Sequence, residues 1–149
     1  MKGYVFVNRY CTGIQAGIQG AHGLLRLARN HQDGDDFDLW LNDHETIVML
    51  SAAGHEHLKE IEEQLKAFDC IDEVVSFQEE GLNFAYTSVA FIGNRELMAA
   101  QEDMKAWRDD RRKGVAIKRE DFEDEMFFKY GTELFELVQY LEGFRSHNG

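Results

Sequence analysis

The chain contains no proline. Its turns must be made by Gly, Asn and Asp, and no X-Pro isomer can slow its folding. Cysteine is scarce too, with only Cys11 and Cys70 in 149 residues. That pair supplies neither a disulfide framework nor the spacing of a metal cluster. Long apolar runs and a leader pattern are missing, so no membrane partner is expected. Reduced thiols and no membrane segment give the cytoplasm as the expected compartment. Positive charge is the last thing in short supply. The chain has 16 Lys and Arg against 28 Asp and Glu, a net of −12. Residues 1–93 hold 6 basic and 15 acidic side chains, and residues 94–149 hold 10 and 13. So acidic a domain repels phosphate backbones, and any nucleic-acid contact needs a local basic surface.

What is present is organised around its opening stretch. Tyr4 to Val7 is β-branched and aromatic and predicts a buried strand. Asn8 to Thr12 forms the turn, with Thr12 as the expected helix N-cap. From Gly13 the period becomes helical. Ile14, Ile18, Ala21, Leu25 and Ala28 fall on one side, and Gln15, Gln19, His22 and Arg26 on an adjacent stripe. Gly13, Gly17, Gly20 and Gly23 sit between them. Each glycine inside a helix costs about 0.5–1 kcal/mol relative to alanine, so something must approach this backbone closely. Tight packing of helix on strand is the first explanation. An anionic ligand at the helix N-terminus is the second.

The rest of the first part alternates. Phe37 to Leu41 suggests a turn or two of helix, and Thr46 to Leu50 a second strand. His55 to Phe68 is an amphipathic helix with Leu58, Ile61, Leu65 and Phe68 as its apolar stripe. His55 and His57 diverge on such a helix, so no metal site is expected there, and no cofactor motif stands elsewhere. Ile71 to Phe77 and Tyr86 to Ile92 complete four strands, separated by the polar loop Gln78 to Asn83. The order predicts an α/β fold: a three-layer α/β/α arrangement on a four-stranded mixed sheet, with crossover helices and a late antiparallel strand. The expected first domain is residues 1–93.

Residues 94–149 change in character and read as C-terminal helices. Glu96 to Trp107 is helical. Arg108 to Arg119 carries 6 basic residues and 2 acidic ones, the one basic run in the chain. Glu120 to Tyr130 forms another helix, Gly131 breaks it, and Thr132 opens a last one carrying Leu134, Phe135, Val138 and Leu141. So much apolar surface must cover its own subunit or build a homodimer.

Three places in the first 93 residues resemble the type II peptidyl-tRNA hydrolase family. The first is the glycine-rich helix, where Gln19 and His22 match a Gln and a His three apart in the family's Gly-Lys-x-Ala-Ala-Gln-x-x-His-Ala motif. The second is the Trp-containing run from Phe37 to Leu50. The third is the loop and last strand, where Glu79, Leu82, Asn83, Tyr86, Thr87 and Ser88 follow a divergent branch of the family. The family's helix lysine falls on Gln15, and the branch's loop aspartate on Gly81. The resemblance implies hydrolysis of the ester joining a peptidyl group to the tRNA 3′ end. It implies His22, Glu79 and Thr87 as catalytic residues, and Gln15, Gln19, Asn83 and Arg9 as substrate contacts. A tRNA acceptor arm would lie on the basic run 108–119. A second reading keeps the fold without the reaction. It is motivated by Gln15, Gly81 and the acidic surface, and it implies a partner protein with a basic surface.

Overall fold

The computed structural model describes residues 1–149. They divide into two compact units, one formed by Met1–Asn94 with Phe144–Gly149 and the other by Arg95–Gly143. The first unit runs β1 (Lys2–Asn8), α1 (Ile14–Asn30), α2 (Asp36–Asp43), β2 (Ile47–Ala52), α3 (His55–Lys66), β3 (Val74–Glu79), a 3₁₀ turn (Glu80–Leu82) and β4 (Ala85–Gly93). The sheet order is β2-β1-β4-β3. β1 and β2 are parallel, and β4 lies antiparallel between β1 and β3. This is the α/β mixed sheet that the alternation of elements predicts, with β4 as its late antiparallel member.

The two-residue period of the strands sorts the core into layers. Val5, Val7, Val75, Ala90 and Ile92 join Ala16 and Leu27 of α1 in one buried cluster, together with Phe37 and Trp40 of α2. On the opposite face Tyr4 stacks on Phe91 at 5.1 Å between ring centroids. α3 packs on β1, β3 and β4 and buries Leu58, Ile61 and Leu65 completely. Each such side chain contributes about 1.5–3 kcal/mol by leaving water. The last residues return to the sheet: Ser51 donates to the Arg145 carbonyl and His147 to the Met49 carbonyl, both through backbone N–H. They cover the edge of β2 and so remove a template for strand addition.

The apolar side of α1 is not the side that packs. Ile14 and Leu25 are 79% and 62% exposed, while Ala16, Gln19, Gly20, Gly23 and Leu27 are buried. Size decides this, not hydropathy. A Cβ on Gly23 would lie 3.0 Å from the Ser88 hydroxyl and 3.3 Å from the Ala90 Cβ, and one on Gly20 would touch Val5 and Val7 at 3.6 Å. At Gly23 the helix comes close enough to the sheet that a side chain would crowd Ser88 and Ala90, whereas at Gly20 a Cβ would make an ordinary contact. Gly17, by contrast, faces open space. The N-cap is Gly13, at φ 56°, and not Thr12, so no side chain caps the helix start.

The second unit holds α4 (Arg95–Lys113), α5 (Arg119–Tyr130) and α6 (Thr132–Glu142). Each packs on the other two. Trp107 of α4 stacks on Phe122 of α5 at 4.9 Å, and Phe127 meets Phe135 of α6 edge-on at 5.1 Å. α4 continues through the basic run to Lys113, where cations suit the carbonyl end of a helix. Gly131 joins α5 to α6 at φ 85° and ψ 160°, a region open essentially to glycine alone, which explains the break there. No helix of the chain is long and apolar enough to cross a membrane.

Candidate functional site

Gln19 and His22 stand three residues apart on α1 and therefore neighbour each other on one face. β3 and β4 bring the other groups to that face. Phe77 and Glu79 share it by the strand period. Thr87 reaches it through a register shift: Phe77 pairs with Ser88, but Gln78 pairs with Tyr86, leaving Thr87 as an extra residue in β4. Bulges of this kind re-aim a side chain. Without it, Thr87 would point with Val89 and Phe91 to the opposite face.

The result is a hydrogen-bonded chain across three segments. The Thr87 hydroxyl donates to Gln19 Oε1 at 2.6 Å, and Gln19 Nε2 donates to Glu79 Oε2 at 3.0 Å. Beneath them the Ser88 hydroxyl donates to the Gln19 carbonyl at 2.8 Å. Thr87 and Ser88 are fully buried and Gln19 is 4% exposed, whereas Glu79 is half-buried. The network thus has a dry base and a solvent-side carboxylate. Glu79 Oε1 also accepts the Gly81 N–H at 3.5 Å, which ties the carboxylate to the start of the 3₁₀ turn.

His22 flanks this chain. Its ring lies flat on Phe77, 4.1 Å between centroids and 6° from parallel. The Arg26 guanidinium, one turn further on, lies 5.3 Å from the Phe77 centroid. Of the residues that the resemblance implies, Gln19, His22, Glu79 and Thr87 therefore come together. Arg9 is exposed and spends its guanidinium on Tyr10, lying over the ring and donating to the hydroxyl at 3.2 Å. Gln15 is exposed on the first turn of α1. Asn83 is exposed and acts through its backbone, closing the 3₁₀ turn in the left-handed conformation at φ 55°.

Phe77 is a member that the sequence reading does not assign to the site, while Arg26, on the helical stripe of Gln19 and His22, is a candidate with Arg9 to replace the lysine and is the one that lies beside Phe77. Spacing is the signal for both: Arg26 lies four residues beyond His22 on α1, and Phe77 two before Glu79 on β3. Cys11 is a further neighbour. Burial raises its thiol pKa, and the nearby Glu79 carboxylate raises it further, so Cys11 is kept as a thiol and not as a nucleophilic thiolate. His55 and His57 have structural work instead. The Nδ1 of His55 accepts the Tyr86 N–H, and that of His57 accepts the Ala53 N–H, each at 2.8 Å.

A separate concavity of about 250 Å³ in the first unit is lined by His31, Asp35, Asp36, Phe37, Asp72 and Glu73. Burial, and then the Asp72 carboxylate, push Asp36 up to about 6. The folded state thus holds this proton more tightly than the unfolded chain, where Asp titrates near its ordinary value of about 4. The sign follows: Asp36 favours folding at acid pH, and that contribution is lost as pH rises through about 6. Asp36→Asn should therefore stabilise the protein at pH 8, by on the order of 1 kcal/mol once solvent screening of a half-exposed group is allowed for. It should change little at pH 4. Thermal melts at the two pH values check this, and a variant no more stable than wild type at pH 8 contradicts it.

Comparison with protein-family models gives no match for the chain, and comparison with curated proteins gives none either.

Proposed function

We propose that the α1–β3–β4 site hydrolyses an ester of the peptidyl-tRNA type, releasing an acyl-amino acid or peptide from a tRNA 3′ end. The observation that carries this reading is the hydrogen-bonded chain Thr87–Gln19–Glu79, with His22 beside it. Two of the three places that carry the resemblance, the α1 helix and the loop with the last strand, meet in this chain. In this reading Glu79 takes a proton from water as the oxygen adds to the ester carbonyl carbon. The Gln15 and Ala16 N–H groups are spent on the Thr12 and Gly13 carbonyls, so it is the positive end of the α1 dipole that favours the developing oxyanion. The bond to the ribose oxygen then breaks, and the proton is returned to that oxygen. Gln19 aims the carboxylate, and Thr87, fully buried, acts through Gln19 and not on the substrate. His22 orients substrate or water, while Arg26 stands in for the family's missing lysine. Phosphates of the acceptor arm lie on the basic run 108–119. A cytoplasmic site of action goes with such a substrate.

A second reading, a binding module that keeps the fold without turnover, is favoured by one observation. The buried hydroxyl of Thr87 is engaged within the protein, by Gln19 at 2.6 Å and the Phe77 carbonyl at 3.5 Å, and the lysine position holds the exposed amide Gln15. Such a module would use its acidic surface on a basic partner protein. Single-turnover hydrolysis of N-acetyl-aminoacyl-tRNA separates the two. Cleavage that weakens as salt rises is expected for the enzyme, since phosphate contacts release counterions. An inert protein at enzyme concentrations far above substrate leaves the module.

A further inference from the structure

We propose that the second unit carries a phosphate-binding pocket where the end of α4 meets the start of α5. The concavity there holds about 360 Å³ and is lined by Trp107, Arg111, Gly114, Ile117, Lys118 and Arg119 with Ala116. Three of the five side chains other than glycine and alanine are cations, and none is a carboxylate. That is a strong local inversion in a chain with a net charge of −12.

The cations are free to serve the pocket. Arg119 is held by its Nε, which donates to Glu123 at 2.9 Å. This leaves the terminal N–H groups of its guanidinium fork for a ligand. Arg111 lies 5.6 Å from the Trp107 centroid, a contact that steadies its side chain along the pocket wall. Of the neighbouring acids, Asp109 pairs with Arg112 at 3.6 Å and Glu142 with Arg108 at 2.6 Å, while Asp110, Glu120 and Asp121 lie close in sequence but do not line the pocket. Lys118 is the N-cap of α5 in extended backbone and makes no side-chain cap, so the first amides of this 12-residue helix are unsatisfied by protein side chains.

The ligand is a bare phosphate group and not a stacked base. Trp107 is the aromatic of the pocket, yet Phe122 stacks on its ring at 4.9 Å, Arg111 lies over it, and only 8% of the residue is exposed. Its indole N–H is also engaged, donating to the Ile117 carbonyl at 3.0 Å. The inference shares with the reading above only the expectation of phosphate contacts on 108–119, and it stands or falls without any ester chemistry.

The test uses the indole N–H resonances of the full chain, one from Trp107 and one from Trp40 in the first unit. Inorganic phosphate is titrated at pH 7.5 and constant ionic strength, with chloride as the balancing ion. Saturable movement of the Trp107 signal alone is expected. Arg111→Gln combined with Lys118→Gln should weaken the phosphate affinity at least tenfold, while Lys59→Gln on α3 leaves it unchanged. A Trp107 resonance at its wild-type position in the phosphate-free double variant shows that the fold is kept. No saturable shift, equal movement of both indoles, or equal loss in Lys59→Gln overturns the proposal. Adenosine monophosphate distinguishes the source: affinity within a few-fold of phosphate agrees with a bare phosphoryl group, and a more than tenfold gain overturns it. Phosphate binding without hydrolysis would reject only the enzyme reading, and hydrolysis without phosphate binding only this pocket.

Discussion

Gln19→Ala should destabilise the first unit by about 2–4 kcal/mol, the largest stability loss expected of any polar substitution in the chain. Gln19 is the one side chain that satisfies both the buried hydroxyl of Thr87 and the inner oxygen of Glu79. Truncation strands a fully buried donor, which costs about 1–3 kcal/mol, and leaves a void between helix and sheet. The Phe77 carbonyl, 3.5 Å from the Thr87 hydroxyl, offers only a long replacement bond. A double-mutant cycle with Thr87→Val isolates the pair. Valine removes the hydroxyl at nearly equal volume, so its added cost in the Gln19→Ala background should be small. A coupling of about 1–2 kcal/mol is expected from urea denaturation, and strict additivity would mean that the two side chains do not depend on each other.

The same pair shows where sequence reasoning reaches and where it stops. The strands were legible because the short β-branched and aromatic runs of this chain are bounded by polar turns, and four such runs with helices between them leave few topologies. That Gln19, Glu79 and Thr87 would share a face was not legible from periodicity. Counted back from Phe91 and Val89, the alternation of β4 assigns Thr87 to the α3 side. One extra residue, opposite Phe77, reverses that assignment. Nothing in Ala85–Gly93 marks the bulge, since it arises from pairing with another strand. The packing face of α1 was hidden for a related reason. Hydropathy points to Ile14, Ile18 and Leu25, but contact with the sheet requires the smallest side chains, and the glycines outweigh the isoleucines. Their cost in helix propensity was the visible clue, and for Gly23 packing is its explanation.

Glu79→Gln should reduce ester cleavage by a factor of about 10²–10⁴, equal to about 3–5 kcal/mol of transition-state stabilisation, if Glu79 is the base of the proposed reaction. The substitution is chosen for what it preserves. A glutamine at this position still offers a carbonyl oxygen to Gln19 Nε2, so the hydrogen-bonded chain survives while the negative charge and the basicity vanish. Loss of activity then reports on proton transfer and not on collapse of the site. A second readout makes the distinction independent of turnover. Burial is the larger cause of the raised Cys11 pKa, but the Glu79 charge is the other. Removing that charge should lower the thiol pKa, so Cys11 should react faster with a disulfide reagent at pH 8 in the variant than in wild type. Faster thiol reaction with full loss of cleavage places the base at Glu79. Faster thiol reaction with cleavage intact keeps the geometry and moves the base elsewhere, to His22 first. Unchanged thiol reactivity would mean that the Glu79 charge does not act on Cys11.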